Sequence, residues 1–137
     1  IRPIQKLQQN LFISAPDFAQ VAAIAALTRT EDEILRRRQI FDRRCRLVLE
    51  RLKQMGLQIL AEPAGAFYVF VNIKRWNDSS LDFAFRLLEN AGVAVTPGID
   101  FGNQGEGFIR ISYANSEEKI KEGLDRLDNF LHAEERI

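Results

Sequence analysis

The chain has 137 residues, of which 46% are hydrophobic and 28% charged, a composition that fits one globular domain and excludes a disordered chain. Its 19 Lys and Arg residues balance its 19 Asp and Glu residues, so no net charge directs it to nucleic acid or to an anionic membrane. One cysteine and one histidine exclude an internal disulfide and a metal cluster of these residues, and the lack of a disulfide fits a reducing compartment.

The first thirty residues predict two helices. Residues 1–9 resemble the end of a helix, with Ile4 and Leu7 on one side. Residues 18–27 predict an alanine-rich helix that Asp17 caps, and its small side chains indicate close packing against a larger partner. This apolar run is shorter than the roughly 20 residues of a membrane span, so we expect no membrane partner. Because the chain begins with Ile1 and without a helix cap, we expect it to start inside a longer protein.

Residues 30–56 give the strongest helix signal. Thr30 and Glu33 have the spacing of a capping box, and Gly56 is suited to the residue after the last turn. An apolar stripe recurs at helical spacing and comprises Ile34, Phe41, Cys45, Val48, Leu52 and Met55. At 1.5 Å per residue the helix is roughly 38 Å long, which suits a helix that bridges two domains.

The remaining residues alternate between strands and helices. Strands are predicted at residues 57–61, 66–73, 93–96 and 108–113. Ser79 or Ser80 caps a helix that ends at Gly92, with its inward face formed by Leu81, Ala84, Phe85, Leu88 and Ala91. Asn115 or Ser116 caps the last helix, whose stripe is Ile120, Leu124, Leu127 and Leu131. This order predicts an α+β fold, in which helices cover a small mixed or antiparallel sheet and the long helix precedes it.

Residues 98–107 form a glycine-rich loop that leads into the strand carrying Arg110. Alternation along that strand gives one face with Phe108, Arg110 and Ser112 and another with Ile109, Ile111 and Tyr113. A guanidinium on a strand suits bidentate binding of a carboxylate or phosphate, although the same pattern fits an arginine on the solvent face of a sheet. Because the loop lies between two strands and precedes no helix, its glycines indicate positive φ and close backbone approach, not nucleotide binding.

Other reactive residues have structural interpretations. The arginines of the long helix lie off its apolar stripe and without interleaved aromatic residues, which indicates a solvated face and no nucleic-acid partner. Cys45 falls on the stripe and is expected to be a small core residue. His132 lies in the last helical turn, where a cation suits the helix dipole. We therefore expect no self-contained catalytic centre and no metal site in this chain.

Several sequence blocks resemble the C-terminal part of class I and II aminotransferases, the pyridoxal-phosphate enzymes of the aspartate aminotransferase type. The blocks occur in order as PAGAFYVF at residues 63–70, LLENAGVAVTPG at residues 87–98, FG at residues 101–102 and GEGFIRISYA at residues 105–114. NLFIS at residues 10–14 and the alanine-rich helix with Gln20 resemble the family's exit from its large domain. Together these blocks cover nearly the whole chain.

The resemblance assigns roles to three residues. Arg110, in the Arg-Ile-Ser-Tyr motif, matches the arginine that binds the substrate α-carboxylate in this family. Phe67 matches an aromatic position that lines the substrate site, and Asn10 matches a position near the active site at the subunit boundary. The resemblance also implies a cytoplasmic homodimer of amino acid metabolism that exchanges an amino group between an amino acid and a 2-oxo acid.

The resemblance implies that most of the family's cofactor-binding residues have no counterpart in this chain. The lysine that forms the Schiff base and most cofactor ligands precede the matched region, so we expect no covalent pyridoxal phosphate here and an inactive fragment. The resemblance divides the chain into residues 1–30 as the end of the large domain, residues 31–56 as the bridging helix and residues 57–137 as the small domain. Two alternatives stay open: a same-fold carbon–sulfur lyase or regulator, and a free-standing α+β binding or dimerisation module.

Overall fold

A computed structural model describes residues 1–134 and separates the chain into two compact units, Ile1–Arg38 and a second unit that begins at Gln39. The N-terminal unit contains α1 (Arg2–Leu11), α2 (Asp17–Thr28) and the start of α3 (Glu31–Gln54). Neither α1 nor α2 has a buried residue, so the close packing predicted for the alanine-rich helix is not found within its own unit.

Two predicted helix caps in the N-terminal unit are wrong. Pro16 occupies the cap position of α2, and Asp17 is its first helical residue, where its carboxylate faces the positive end of the helix dipole. The Thr30 hydroxyl donates to the Ala26 carbonyl oxygen at 2.6 Å instead of completing a capping box. Glu33 instead accepts hydrogen bonds from the guanidinium groups that follow it one turn later on α3.

The second unit contains a three-stranded antiparallel sheet, which confirms the α+β prediction. The strands are β1 (Tyr68–Asn72), β2 (Thr96–Pro97) and β3 (Phe108–Ser112), in the spatial order β1-β3-β2. The helices of this unit are the remainder of α3, α4 (Ser80–Ala91) and α5 (Glu117–Glu134), and short 3₁₀ turns span Gly98–Phe101 and Asn103–Gly105.

Two strand predictions need correction. Residues 57–61 contribute only an isolated bridge between Gln58 and Asn72, because the chain bends at Leu60 and Ala61, where further pairs with β1 would form. The strand predicted at residues 93–96 is reduced to Thr96–Pro97, which pairs with Arg110 and Ile109.

The hydrophobic core of the second unit joins three helices to one face of the sheet. Its buried side chains are Val48, Leu52, Leu57, Val69, Val71, Ile73, Phe83, Leu87, Ile109, Tyr113, Ile120, Leu124, Leu127, Phe130 and Leu131. All four residues of the predicted α5 stripe belong to this core, and the Ser116 hydroxyl accepts from the Lys119 N–H to cap that helix. On α3 the predicted stripe is buried at Val48 and Leu52.

Three predicted helix ends are confirmed. Gly56 has a φ of +73°, and the Leu57 N–H donates to the Leu52 carbonyl at 3.0 Å, the hydrogen bond that closes a Schellman motif. Ser79 caps α4 by accepting from the Asp82 N–H at 3.2 Å. Gly92 ends the same helix with a φ of +66°.

The predicted inward face of α4 is wrong at three of its five residues. The buried side chains of α4 are Ser80, Phe83, Ala84 and Leu87. Leu81, Phe85 and Leu88 are instead exposed. The helix carries large apolar residues on both faces, so periodicity alone cannot choose between them.

Candidate functional site

Arg110 lies on β3, the central strand of the sheet, where two neighbours flank it. The antiparallel register places Phe70 of β1 on one side of Arg110 and Thr96 of β2 on the other. Arg110 is half-buried, and its Nη2 atom donates to the Thr96 hydroxyl at 3.2 Å. The strand therefore fixes the guanidinium above the face of the sheet opposite the core.

Two aromatic rings also contact the guanidinium of Arg110. Its central carbon lies 4.2 Å from the ring centroid of Tyr68 and 4.9 Å from that of Phe101. These distances are within the range of cation–π attraction. Tyr68 belongs to β1, whereas Phe101 ends the first 3₁₀ turn of the glycine loop, so strand and loop meet at this arginine.

The guanidinium of Arg110 keeps hydrogen-bonding capacity. A guanidinium has five N–H donors, and the protein hydrogen bond that it forms is the one to Thr96. None of the ion pairs found among residues 1–134 includes Arg110. The arrangement can therefore accept an external carboxylate with bidentate geometry.

The glycine loop approaches itself closely before β3. A Cβ atom on Gly98 would lie 1.9 Å from the Gly105 carbonyl oxygen, and one on Gly105 would lie 2.1 Å from the Gly98 oxygen. Gly102 and Gly107 have φ values of +94° and +79°, a region that favours glycine. Both predicted reasons for the glycines, close approach and positive φ, are confirmed.

A partly buried hydrogen-bond network fixes the loop to α4. The Ser80 N–H donates to Glu106 Oε1 at 2.5 Å, and the Gly107 N–H donates to the same oxygen at 3.1 Å. The Ser80 hydroxyl accepts from the Ile99 N–H at 3.1 Å. The backbone hydrogen bond from Ser80, then the Ser80 side chain and the Gly107 N–H, hold the pKa of Glu106 below its ordinary value. Sequence analysis missed this network, because its partners are far apart in the chain.

The two other predicted site residues lie in different units. Phe67 is 37% exposed, and its ring centroid lies 4.4 Å from that of Tyr68, so it adjoins the aromatic contacts of Arg110. Asn10 belongs to the N-terminal unit, where its side-chain amide donates to the Lys6 carbonyl at 2.7 Å.

The remaining reactive residues have ordinary surroundings. Cys45 is half-buried and packs against the core, as predicted. His132 Nε2 lies 3.5 Å from the Asp128 carboxylate one turn away on α5. Within residues 1–134, no three carboxylate, histidine or cysteine side chains form a group that could hold a metal ion. No helix in the same range is long and apolar enough to cross a membrane.

The described residues do not fit covalently bound pyridoxal phosphate. A lysine that reacts with a carbonyl needs a desolvated or charge-tuned position, but the five lysines of this chain are all exposed: Lys6, Lys53, Lys74, Lys119 and Lys121. Lys53 and Lys119 form ion pairs with Glu62 and Glu122. The glycine loop also leads into β3 and not into a helix, and the N-terminus of α4, which the loop does meet, already binds the Glu106 carboxylate.

A separate groove of about 480 Å³ lies between the first half of α5 and residues 93–95. Its lining combines core side chains such as Val48, Ile111 and Leu124 with polar residues of α5. Neither Arg110 nor Phe67 lines it. Because the groove includes neither residue, we place the candidate site at Arg110 and not at the groove.

Comparison with known proteins identifies related sequences along nearly the whole chain. Residues 1–127 match the family described as aminotransferase class I and II. The (5-formylfuran-3-yl)methyl phosphate transaminase of Methanocaldococcus jannaschii is 52% identical over 133 residues, which are 96% of this chain and 35% of that protein. The aspartate aminotransferase of Pyrococcus horikoshii is 40% identical over 136 residues, 98% of this chain and 35% of that enzyme.

Solved structures give the same relationship. A crystal structure of a Methanococcus jannaschii protein, described as similar in its active site to kynurenine aminotransferases, matches with a TM-score of 0.83 and 52% identity. The match covers 95% of this chain and 34% of that one. The chain thus spans about a third of the length of the relatives that it matches.

Proposed function

This chain belongs to the class I and II aminotransferase family, and on that premise we propose that the intact protein transfers an amino group between an amino acid and a 2-oxo acid. The observation that carries the proposal is the guanidinium of Arg110, which has one protein hydrogen bond and no carboxylate partner among the described residues. A transaminase that acts on an amino acid and a 2-oxo acid needs such a group, because both of these substrates carry a carboxylate next to the reacting carbon.

Arg110 binds this α-carboxylate in the proposed reaction. Two parallel N–H···O bonds fix the orientation of the carboxylate plane, which a lysine ammonium cannot do. Orientation decides which bond of the α-carbon faces the cofactor, so the arginine contributes to reactivity as well as to affinity. Phe67 lines the same region through its contact with Tyr68.

The proposed cofactor is pyridoxal phosphate, which supplies an electron sink for bonds to the α-carbon. Because the lysines of this chain are exposed, we propose that residues of the intact protein other than these hold the cofactor. Residues 1–30 then belong to the large domain, residues 31–56 form the bridging helix, and residues 57–137 form the small domain. Movement of the small domain carries Arg110 to the substrate and excludes water.

We further propose that the intact protein is a cytoplasmic homodimer of amino acid metabolism. The location is supported by the free thiol of Cys45 and the lack of a second cysteine with which it could pair. Gel filtration and light scattering of the intact protein test the dimer, and a monomer that is fully active would contradict it.

The experiment that tests the activity supplies the intact protein with each standard L-amino acid as donor and a 2-oxo acid as acceptor, and measures both the new 2-oxo acid and the new amino acid. We expect product only when pyridoxal phosphate is bound. Borohydride reduction should attach the cofactor to a lysine outside the five of this chain. Attachment to one of those five would contradict the proposed cofactor site. Release of ammonia and an elimination product, with no new amino acid formed, would favour a lyase.

A further inference from the structure

The aromatic rings of Tyr68 and Phe101 contact the proposed carboxylate-binding group. We propose that Tyr68 and Phe101 are positioning residues, which hold the Arg110 guanidinium in the orientation that accepts a carboxylate. The inference rests on the proposed function and adds to it the two side chains that determine how well Arg110 discriminates a carboxylate from an uncharged group.

The Tyr68 ring has a fixed place beside Arg110. Tyr68 starts β1 and pairs with Ser112, the residue two positions beyond Arg110 on β3, so it reaches the guanidinium diagonally across the ladder. Its other neighbour is the Phe67 ring, whose centroid lies 4.4 Å away, and the Phe67 ring in turn lies 5.9 Å from Phe41 of α3. Tyr68 is thus supported by a series of aromatic contacts that reaches α3.

Phe101 is held by the glycine loop. The loop turns tightly enough for Gly98 and Gly105 to exclude a Cβ atom, and the Ser80 hydroxyl holds the backbone at Ile99. The Phe101 ring then meets Phe70 edge-on at 5.7 Å, while Phe70 is the direct cross-strand partner of Arg110. The loop therefore places the Phe101 ring against the Arg110 guanidinium. The path of the loop is in turn fixed by its glycines and by the hydrogen bonds to Glu106.

These contacts constrain the guanidinium without consuming its donors. Thr96 accepts one N–H, and a phenylalanine ring accepts no conventional hydrogen bond. The rings also replace water around the charge, which strengthens its attraction for a carboxylate. Arginine otherwise loses much side-chain freedom on binding, so a guanidinium already held in place binds with a smaller entropic cost.

The test uses the intact protein with its cofactor and measures binding of propionate, with propionamide as the uncharged probe of the same shape. Tyr68→Leu and Phe101→Leu each remove one ring, and the control Tyr68→Phe keeps an aromatic ring at position 68. The melting temperature of each variant monitors folding. We expect each leucine variant to bind propionate about 3- to 10-fold more weakly, the range that cation–π energies imply. Propionamide binding and the affinity of Tyr68→Phe for propionate should stay unchanged.

A double-mutant cycle separates positioning from a general effect on structure. In an Arg110→Leu background the ring substitutions should have no further effect on propionate binding, because they act through the arginine. Equal weakening with and without Arg110, or equal loss of propionamide, would overturn the inference. If Arg110→Leu leaves propionate binding unchanged, the proposed function fails. If Arg110→Leu weakens propionate binding but the two ring substitutions do not, only the positioning role is rejected.

Discussion

The N–H of Ser80, the first residue of α4, donates to Glu106 Oε1 across 26 positions of the chain at 2.5 Å. The carboxylate therefore lies at the positive end of the α4 dipole and accepts a second hydrogen bond from Gly107. This relationship links the helix to the loop that precedes Arg110, and it predicts a pH effect.

We expect acid to weaken the intact protein through Glu106. Its pKa is lowered in the folded state, so the unfolded chain binds more protons at acidic pH and stability rises with pH there. The contribution is present above the ordinary glutamate pKa of about 4.3 and is lost as the pH falls through the folded pKa. Between pH 7 and pH 3, the free energy of unfolding measured with urea should decrease less for Glu106→Gln than for wild type. The control is Glu62→Gln, which removes an exposed ion pair with Lys53, and an identical pH profile for Glu106→Gln and wild type would contradict the assignment.

Burial of Tyr113, followed by its hydrogen bond with Cys45, raises its pKa to about 12. The folded state then retains the phenol proton between pH 10 and pH 12 while the unfolded chain loses it, so stability falls as the pH rises through this range. Tyr113→Phe should remove that component of the alkaline loss. Unfolding of both proteins by urea at pH 9 and pH 11 measures it, and an equal decrease in both would show that Tyr113 does not contribute.

Two glycine substitutions should have opposite effects. Gly98→Ala places a Cβ 1.9 Å from the Gly105 oxygen and is expected to lower the melting temperature strongly. Gly123→Ala on α5 meets no atom within 4 Å and should stabilise by roughly 0.5–1 kcal/mol through helix propensity. Thermal unfolding gives the melting temperature of each variant. Comparable changes in the two would mean that the backbone at Gly98 does not lie close to that at Gly105.

Substitutions of two adjacent leucines on α4 test which face of this helix is buried. Leu87 is fully buried, so Leu87→Ala should cost about 2–5 kcal/mol of unfolding free energy. Leu88 is exposed, and Leu88→Ala should change stability by at most about 0.5 kcal/mol. Urea titration gives both values, and a larger loss at Leu88 would restore the face predicted from the sequence.

A sequence pattern predicts the buried face or the end of a helix only when a single arrangement of the chain is compatible with it. The α5 stripe was predictable because polar residues occupy its other face, and the ends of α3 and α4 were predictable because Gly56 and Gly92 need positive φ. The inward face of α4 was not, since apolar residues occur on both sides of that helix and only tertiary packing selects one.

The candidate site divides in the same way. A resemblance to known enzymes singled out Arg110, and strand alternation gave its face of the sheet. Its contacts with Tyr68 and Phe101 depend on strand register and on the path of the loop, and neither is encoded in local spacing. The hydrogen bond from the Ser80 N–H to Glu106 was likewise not predictable, because the two residues are 26 positions apart in the chain.

The most direct test of the central claim is the steady-state kinetics of Arg110→Ala and Arg110→Lys in the intact protein. Removing the charged partner of a bound α-carboxylate costs at least about 1.5–3 kcal/mol of binding free energy. We therefore expect kcat/KM for the amino acid to fall by about 10- to 150-fold. Arg110→Lys should recover only part of this, and the control Arg46→Ala, on the exposed face of α3, should match wild type. Unchanged kcat/KM and unchanged preference for α-carboxylates in Arg110→Ala would contradict the assignment of Arg110 as the carboxylate-binding residue.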